Sequence, residues 1–151
     1  MNRIVFRYAD VLLERAEAFA QLGKTTEAIA LVNQIRSRAA SSTQMIGNYP
    51  SKYGVKFYCK NYTGSYDKEQ TIKIVKMERR LELAMESERF FDLVRWGEAA
   101  PTLNSYYAAE KTKCTVYGEA EFTADKGEYL PIPFAQVASS NGYYTQNIGN
   151  W

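Results

Sequence analysis

The chain has 151 residues, 46% hydrophobic and 24% charged, with 19 Lys and Arg against 17 Asp and Glu. That length suits a single domain with its own core, and the composition is that of a folded protein, not a disordered or collagen-like one. A net charge of +2 with interleaved signs argues against nucleic acid, whose binders gather cations on one face or in one tract; the closest approach to that is Lys111-Thr112-Lys113.

Histidine is absent. This removes the commonest zinc ligand, the commonest general base near neutrality and every Ser–His or Cys–His nucleophile pair. Cys59 and Cys114 lack metal-site spacing, and are readable either as a disulfide or as two unrelated thiols. No catalytic residue, metal or cofactor is predicted. The opening Asn2-Arg3-Ile4-Val5-Phe6-Arg7-Tyr8 lacks the apolar stretch of a signal peptide. No apolar run approaches the ~18 residues of a membrane span. The chain alone reads as soluble, as would a fragment of a longer exported protein.

Tyr8 to Leu22 carries Tyr8, Leu12, Ala16 and Phe19 as one stripe at helical period, widened by Ala9, Leu13 and Ala20. Gly23 suits a left-handed helix end, and Thr25 or Thr26 can open a second helix through Ala28, Leu31, Val32, Ile35 and Ala39. So short a turn forces an antiparallel hairpin, and Ala9–Arg36 matches one tetratricopeptide unit with no second copy at that period.

Residues 41–66 break the pattern with Ser, Gly, Asn and Pro, and carry Tyr49, Tyr53, Phe57, Tyr58, Tyr62 and Tyr66. Val55–Cys59 is readable as a short strand. Asp67 and Gln70 form a capping box that opens a long helix. Its expected apolar face is Ile74, Met77, Leu81 and Met85, continuing through Phe90–Trp96 after a bend near Ser87. Gly97 and Pro101 mark its end, and Thr102–Gly127 reads as loop with Tyr106, Tyr107, Tyr117 and Phe122. Leu130-Pro131-Ile132-Pro133 is extended, with a helical turn expected near Gln136-Val137.

Two features carry candidate chemistry. Glu78, Glu82 and Glu86 lie four apart on one helical face, and Glu86, Arg89, Asp92 and Arg95 alternate in sign. Glycosidic carboxylates need environments that split their pKa values, whereas each acid here has an arginine within a turn. The run therefore reads as structural. Tyrosine offers an apolar ring with a polar tip, complementary to a sugar's C–H face and hydroxyl rim. Tyr49, Tyr53, Tyr58 and Tyr62 are the candidate ligand-binding residues, against the alternative that such rings simply pack the loops onto the helices.

Arg7-Tyr8-Ala9-Asp10-Val11-Leu12-Leu13, Arg15-Ala16-Glu17-Ala18 and Asn33-Gln34-Ile35-Arg36-Ser37-Arg38-Ala39 resemble the helical hairpin of the SusD/RagB family. Glu78-Arg79-Arg80-Leu81-Glu82-Leu83-Ala84, then Arg89-Phe90-Phe91-Asp92-Leu93-Val94-Arg95-Trp96-Gly97, resembles its helical signature. Leu130-Pro131-Ile132-Pro133 and Gln146-Asn147-Ile148-Gly149-Asn150-Trp151 resemble its C-terminus. Ser87-Glu88 stands where the family commonly has Gly-His, and Ile148 where proline is common.

The resemblance implies an all-α fold: a tetratricopeptide-like hairpin plus a long helix, with extended aromatic-rich loops. It implies the C-terminal portion of a longer lipid-anchored protein on the outer surface of a Bacteroidetes-type cell. Such proteins sit over a TonB-dependent channel of the SusC kind and deliver glycans or other nutrients to it; they bind and do not cleave. The alternative is a free-standing tetratricopeptide-like protein-interaction module. A hydrolase using the acidic helix is the third reading.

Overall fold

The structure, a computed structural model, describes residues 6–41 and 59–147. All regular structure among them is helical: α1 (Tyr8–Gln21), α2 (Thr25–Ser41), α3 (Lys68–Glu82), α4 (Glu88–Arg95), α5 (Ala99–Glu110) and α6 (Phe134–Ser139), with a 3-10 turn at Thr115–Tyr117. The chain divides into two compact units between Glu86 and Ser87. No described helix is long and apolar enough to cross a membrane.

In the first unit α1 and α2 form the expected hairpin. Gly23, at φ +75°, makes the left-handed turn. Its N–H donates to Ala20 O and that of Lys24 to Phe19 O, at 3.0 and 2.9 Å, which satisfies the carbonyls that a helix end leaves open. Ala16, Ala20 and Ala28 are fully buried, so the backbones approach closely around Leu13 and Val32. Tyr8, placed on the inward stripe from its spacing, is exposed. It sits at the first turn, where the stripe runs past the end of the packed region.

The α3 helix lies against both arms of the hairpin. Its capping box is present: Gln70 N–H donates to Asp67 Oδ1 at 2.8 Å, and Asp67 N–H to Gln70 Oε1 at 3.1 Å. Its buried face differs from the expected one. Thr71, Val75, Glu78 and Arg79 point inward, while Met77, Leu81 and Met85 are exposed. Charged side chains are tolerated inside because each meets an opposite charge from another helix. Arg79 Nη1 lies 2.9 Å from Asp10 Oδ1, with both side chains more than nine-tenths buried.

The long helix expected across residues 67–96 is interrupted. Met85 and Ser87 both adopt left-handed φ, +67° and +74°, so α3 closes with Leu83 N–H on Arg79 O and the next helix begins only at Glu88. This is the bend placed near Ser87 by the sequence, realised as a full break.

In the second unit α4 and α5 pack around Leu93, Ala99 and Phe122. The α5 helix corrects the reading of Thr102–Gly127 as loop, since it runs on to Glu110. Pro101 falls in its first turn, where a missing N–H costs no helical hydrogen bond. The turn expected at Gln136-Val137 is α6. Residues 130–133 form no regular element, and Pro133 has φ −52° and ψ 131° just before α6. The proposed strand Val55–Cys59 falls almost wholly outside the described residues. Cys59 and Cys114 are free thiols.

Candidate functional site

The aromatic loop returns to the helices along one face of α2. Asn33, Arg36, Ser37 and Ala40 share that face by their spacing, and residues 60–62 run beside it. Asn33 Nδ2 donates to Tyr62 O at 2.8 Å, and Tyr62 N–H donates to Asn33 Oδ1 at 2.8 Å. Arg36 Nε donates to Lys60 O at 2.6 Å, and Asn61 Nδ2 to Ser37 Oγ at 2.9 Å. An irregular segment thus has its backbone groups satisfied by side chains in place of a strand partner.

The Tyr62 ring is half-buried against the hairpin core. The Arg36 guanidinium lies over it at 4.8 Å from the centroid, and Tyr66 meets it edge-on at 5.8 Å. Arg36 also donates from Nη1 to Glu78 Oε2 at 2.7 Å. Burial pulls the Arg36 guanidinium down and the Glu78 pairing pushes it up; the pairing prevails.

Beside this anchor lies an open depression of about 620 Å³, lined by Ser37, Ala40, Ser41, Cys59, Lys60, Asn61 and Thr63. Ser41 and Cys59 are the residues from which 42–58 depart and return. Tyr49, Tyr53 and Tyr58 lie on that connection, outside the described residues; of the four tyrosines singled out from the sequence, only Tyr62 is described. The lining supplies hydroxyl, amide and ammonium groups, which suit a ligand recognised through hydrogen bonds.

The acidic face of α3 is committed elsewhere. Arg7 closes a bidentate pair on Glu86, through Nε at 2.6 Å and Nη2 at 2.7 Å, and donates from Nη1 to Glu82 at 2.9 Å. Hydrogen bonding to Glu86 in particular raises the Arg7 guanidinium pKa above its ordinary value. Arg38 donates from Nη2 to both carboxylate oxygens of Glu82, at 2.6 and 2.8 Å. Glu78 is thus paired with Arg36, Glu82 with Arg38 and Arg7, and Glu86 with Arg7, from α2 and the residue before α1. The Asp92–Arg95 pair, at 2.8 Å, does follow the three-residue spacing. Among the described residues no three His, Cys, Asp or Glu side chains group as a metal site would need.

The SusD family model matches residues 1–151, the whole chain. The chain belongs to the SusD family. SusD-like protein P38 from Formosa agariphila is 41% identical over 102 residues, covering 68% of this chain and 18% of that protein. SusD-like protein P25 from the same organism is 33% identical over 146 residues, covering 94% of this chain and 25% of its own length. A crystal structure of a SusD superfamily protein from Bacteroides vulgatus superposes with a TM-score of 0.66 at 29% identity, over 94% of this chain and 26% of that one. The SusD-family chain thus spans about a quarter or less of these relatives. The helical architecture of its described residues agrees with the tetratricopeptide-like fold of the SusD superfamily.

Three features of the site escaped the sequence reading. Asn33 carries no signal beyond its place in the hairpin motif, because its partner is 29 residues away. Asp10 and Arg79 are adjacent to apolar stripe positions, yet nothing local marks them as a buried pair. The depression itself arises where α2 ends beside the returning loop.

Proposed function

We propose that this chain is part of a glycan-capture protein, anchored by lipid on the outer surface of the cell, that passes oligosaccharide to a SusC-like TonB-dependent channel. The observation that carries the reading is the family match over all 151 residues. The ligand contacts proposed for this part of the protein are Tyr49, Tyr53, Tyr58 and Tyr62, chosen for their ring chemistry. Tyr62, held by Asn33 and covered by Arg36, serves as the fixed end of the loop. The role is binding without cleavage, a reading supported by acidic side chains that are tied up in ion pairs.

The test is glycan-array binding by the intact protein, with co-purification of a large outer-membrane barrel from native membranes. Saccharide binding that falls when Tyr49, Tyr53 and Tyr58 are replaced together by Ala supports both the role and the site. Unchanged binding would remove the site, and absence of any saccharide binding would remove the role.

A further inference from the structure

The second unit carries an aromatic group that the proposed site does not use. Tyr106, Tyr107 and Tyr117 are mutually packed. Tyr107 stacks on Tyr117 with centroids 5.8 Å apart and planes 20° apart, while Tyr106 meets Tyr117 edge-on at 5.7 Å. Tyr106 remains about half exposed, although rings placed only to fill a core are normally covered.

Tyr107 also lines an open depression of about 420 Å³ together with Asn104, Ala108, Lys111, Glu119 and Glu121. That volume is within the roughly 300–1,000 Å³ of small-molecule sites. Asn104, Tyr107, Ala108 and Lys111 recur at helical spacing, so one face of α5 and its continuation forms one wall. The other wall is residues 118–121, whose end is fixed by Asn104: its Nδ2 donates to Phe122 O at 2.9 Å and its Oδ1 accepts from Phe122 N–H at 2.7 Å. The depression stays open because Ala108, Gly118 and Ala120 are small.

We infer that this depression is a second saccharide-contact site, taking a short run of uncharged sugar residues against Tyr107 with Lys111, Glu119 and Glu121 as its polar rim. The inference rests on the glycan-capture reading and adds a place and a ligand class to it. A tyrosine wall with hydrogen-bonding groups around it matches a pyranose, which has an apolar face and a hydroxyl edge. Two carboxylates against one ammonium leave the rim net negative, which opposes uronate or sulfated glycans. The Tyr106–Tyr117 contact holds the stack in place from behind.

The test is titration calorimetry of the intact protein with α- and β-glucan, xylan and mannan oligosaccharides as uncharged probes, and alginate and polygalacturonate oligosaccharides as anionic ones. Tyr107→Ala should weaken the uncharged probe that binds by about tenfold. Because Tyr107 also packs against Leu93, Ala99 and Phe122, Ala108→Met provides a second arm. Ala108 is exposed on the helix, and methionine keeps the helix while filling the depression. Weakening by both variants, with Tyr144→Ala unchanged, supports the site. Wild-type binding that survives Ala108→Met overturns this site and leaves the glycan-capture reading standing. Preference for the anionic probes overturns the ligand class, and absence of binding to every probe overturns both.

Discussion

Asn33 and Tyr62 close a ring of two hydrogen bonds, amide nitrogen to carbonyl and backbone N–H to amide oxygen, each 2.8 Å long. The same device recurs between Asn104 and Phe122. It recurs again between Gln146 and Ile132, where Ile132 N–H donates at 2.7 Å and Gln146 Nε2 donates to Ile132 O at 2.8 Å. Among the described residues these irregular segments have no strand to pair with, and a carboxamide presents both a donor and an acceptor to the backbone. Asn33→Ala leaves both Tyr62 backbone groups without these partners and should cost about 1–2 kcal/mol. Hydrogen exchange at the Tyr62 amide should accelerate in step with the loss in urea stability. Asn33→Asp keeps the acceptor and should protect that amide while still destabilising. An unchanged Tyr62 exchange rate in Asn33→Ala would show that the clamp does not fix the loop.

The Asp10–Arg79 pair, at 2.9 Å and nearly solvent-free, predicts an asymmetric mutational response. Arg79→Met strands a buried carboxylate and should cost about 3–5 kcal/mol, whereas joining it to Asp10→Leu removes both charges and should recover most of that loss. A double-mutant cycle in urea checks this. Additive losses would mean that the two side chains act independently.

The hairpin, the α3 capping box and the bend near Ser87 were legible because each is written in neighbouring residues: small side chains at Ala16 and Ala20, the Asp67–Gln70 pair, the charged run around Ser87. The buried face of α3 was not legible. Periodicity favoured Met77 and Leu81 as inward residues, but Glu78 and Glu82 face the packed side because Arg36, Arg38 and Arg7 wait there, 42, 44 and 75 residues away in sequence. Helix α5 was hidden for a different reason. Its apolar residues make no clear stripe, and Pro101 reads as a terminator until its place in the first turn is known. Of the candidate ligand residues, Tyr62 was placed in the sequence by ring chemistry alone. That it is pinned through its backbone by Asn33 has no sequence periodicity to reveal it.

Ser87 sits at φ +74° and caps α4 without a side-chain hydrogen bond. A left-handed L-residue costs roughly 1–2 kcal/mol relative to glycine, partly offset by the greater chain entropy glycine loses on folding. Ser87→Gly should therefore raise stability by about 1 kcal/mol, seen as a higher Tm, while Ser87→Ala gives no gain. A lower Tm for the glycine variant would place the strain elsewhere, with Met85 at φ +67° the next position to replace.

Tyr106 provides a pH-dependent reporter on the aromatic group of the second unit. Its hydrogen bond with Tyr117, first among several causes, raises its pKa above the ordinary tyrosine value of about 10. A raised value in the folded state means that the neutral phenol is the favoured form there. The associated stability is complete below the unfolded-state value and is lost as pH climbs through the folded-state one. Tyrosine labelled at the ring Cζ carbon, followed by NMR across alkaline pH, should show Tyr106 ionising later than an isolated tyrosine. Tyr117→Phe removes the hydroxyl partner but keeps a ring against Tyr107, so it should return Tyr106 toward the ordinary value without collapsing the stack. If Tyr106 titrates identically in both proteins, the hydroxyls are not coupled, and the stack is held by ring packing alone.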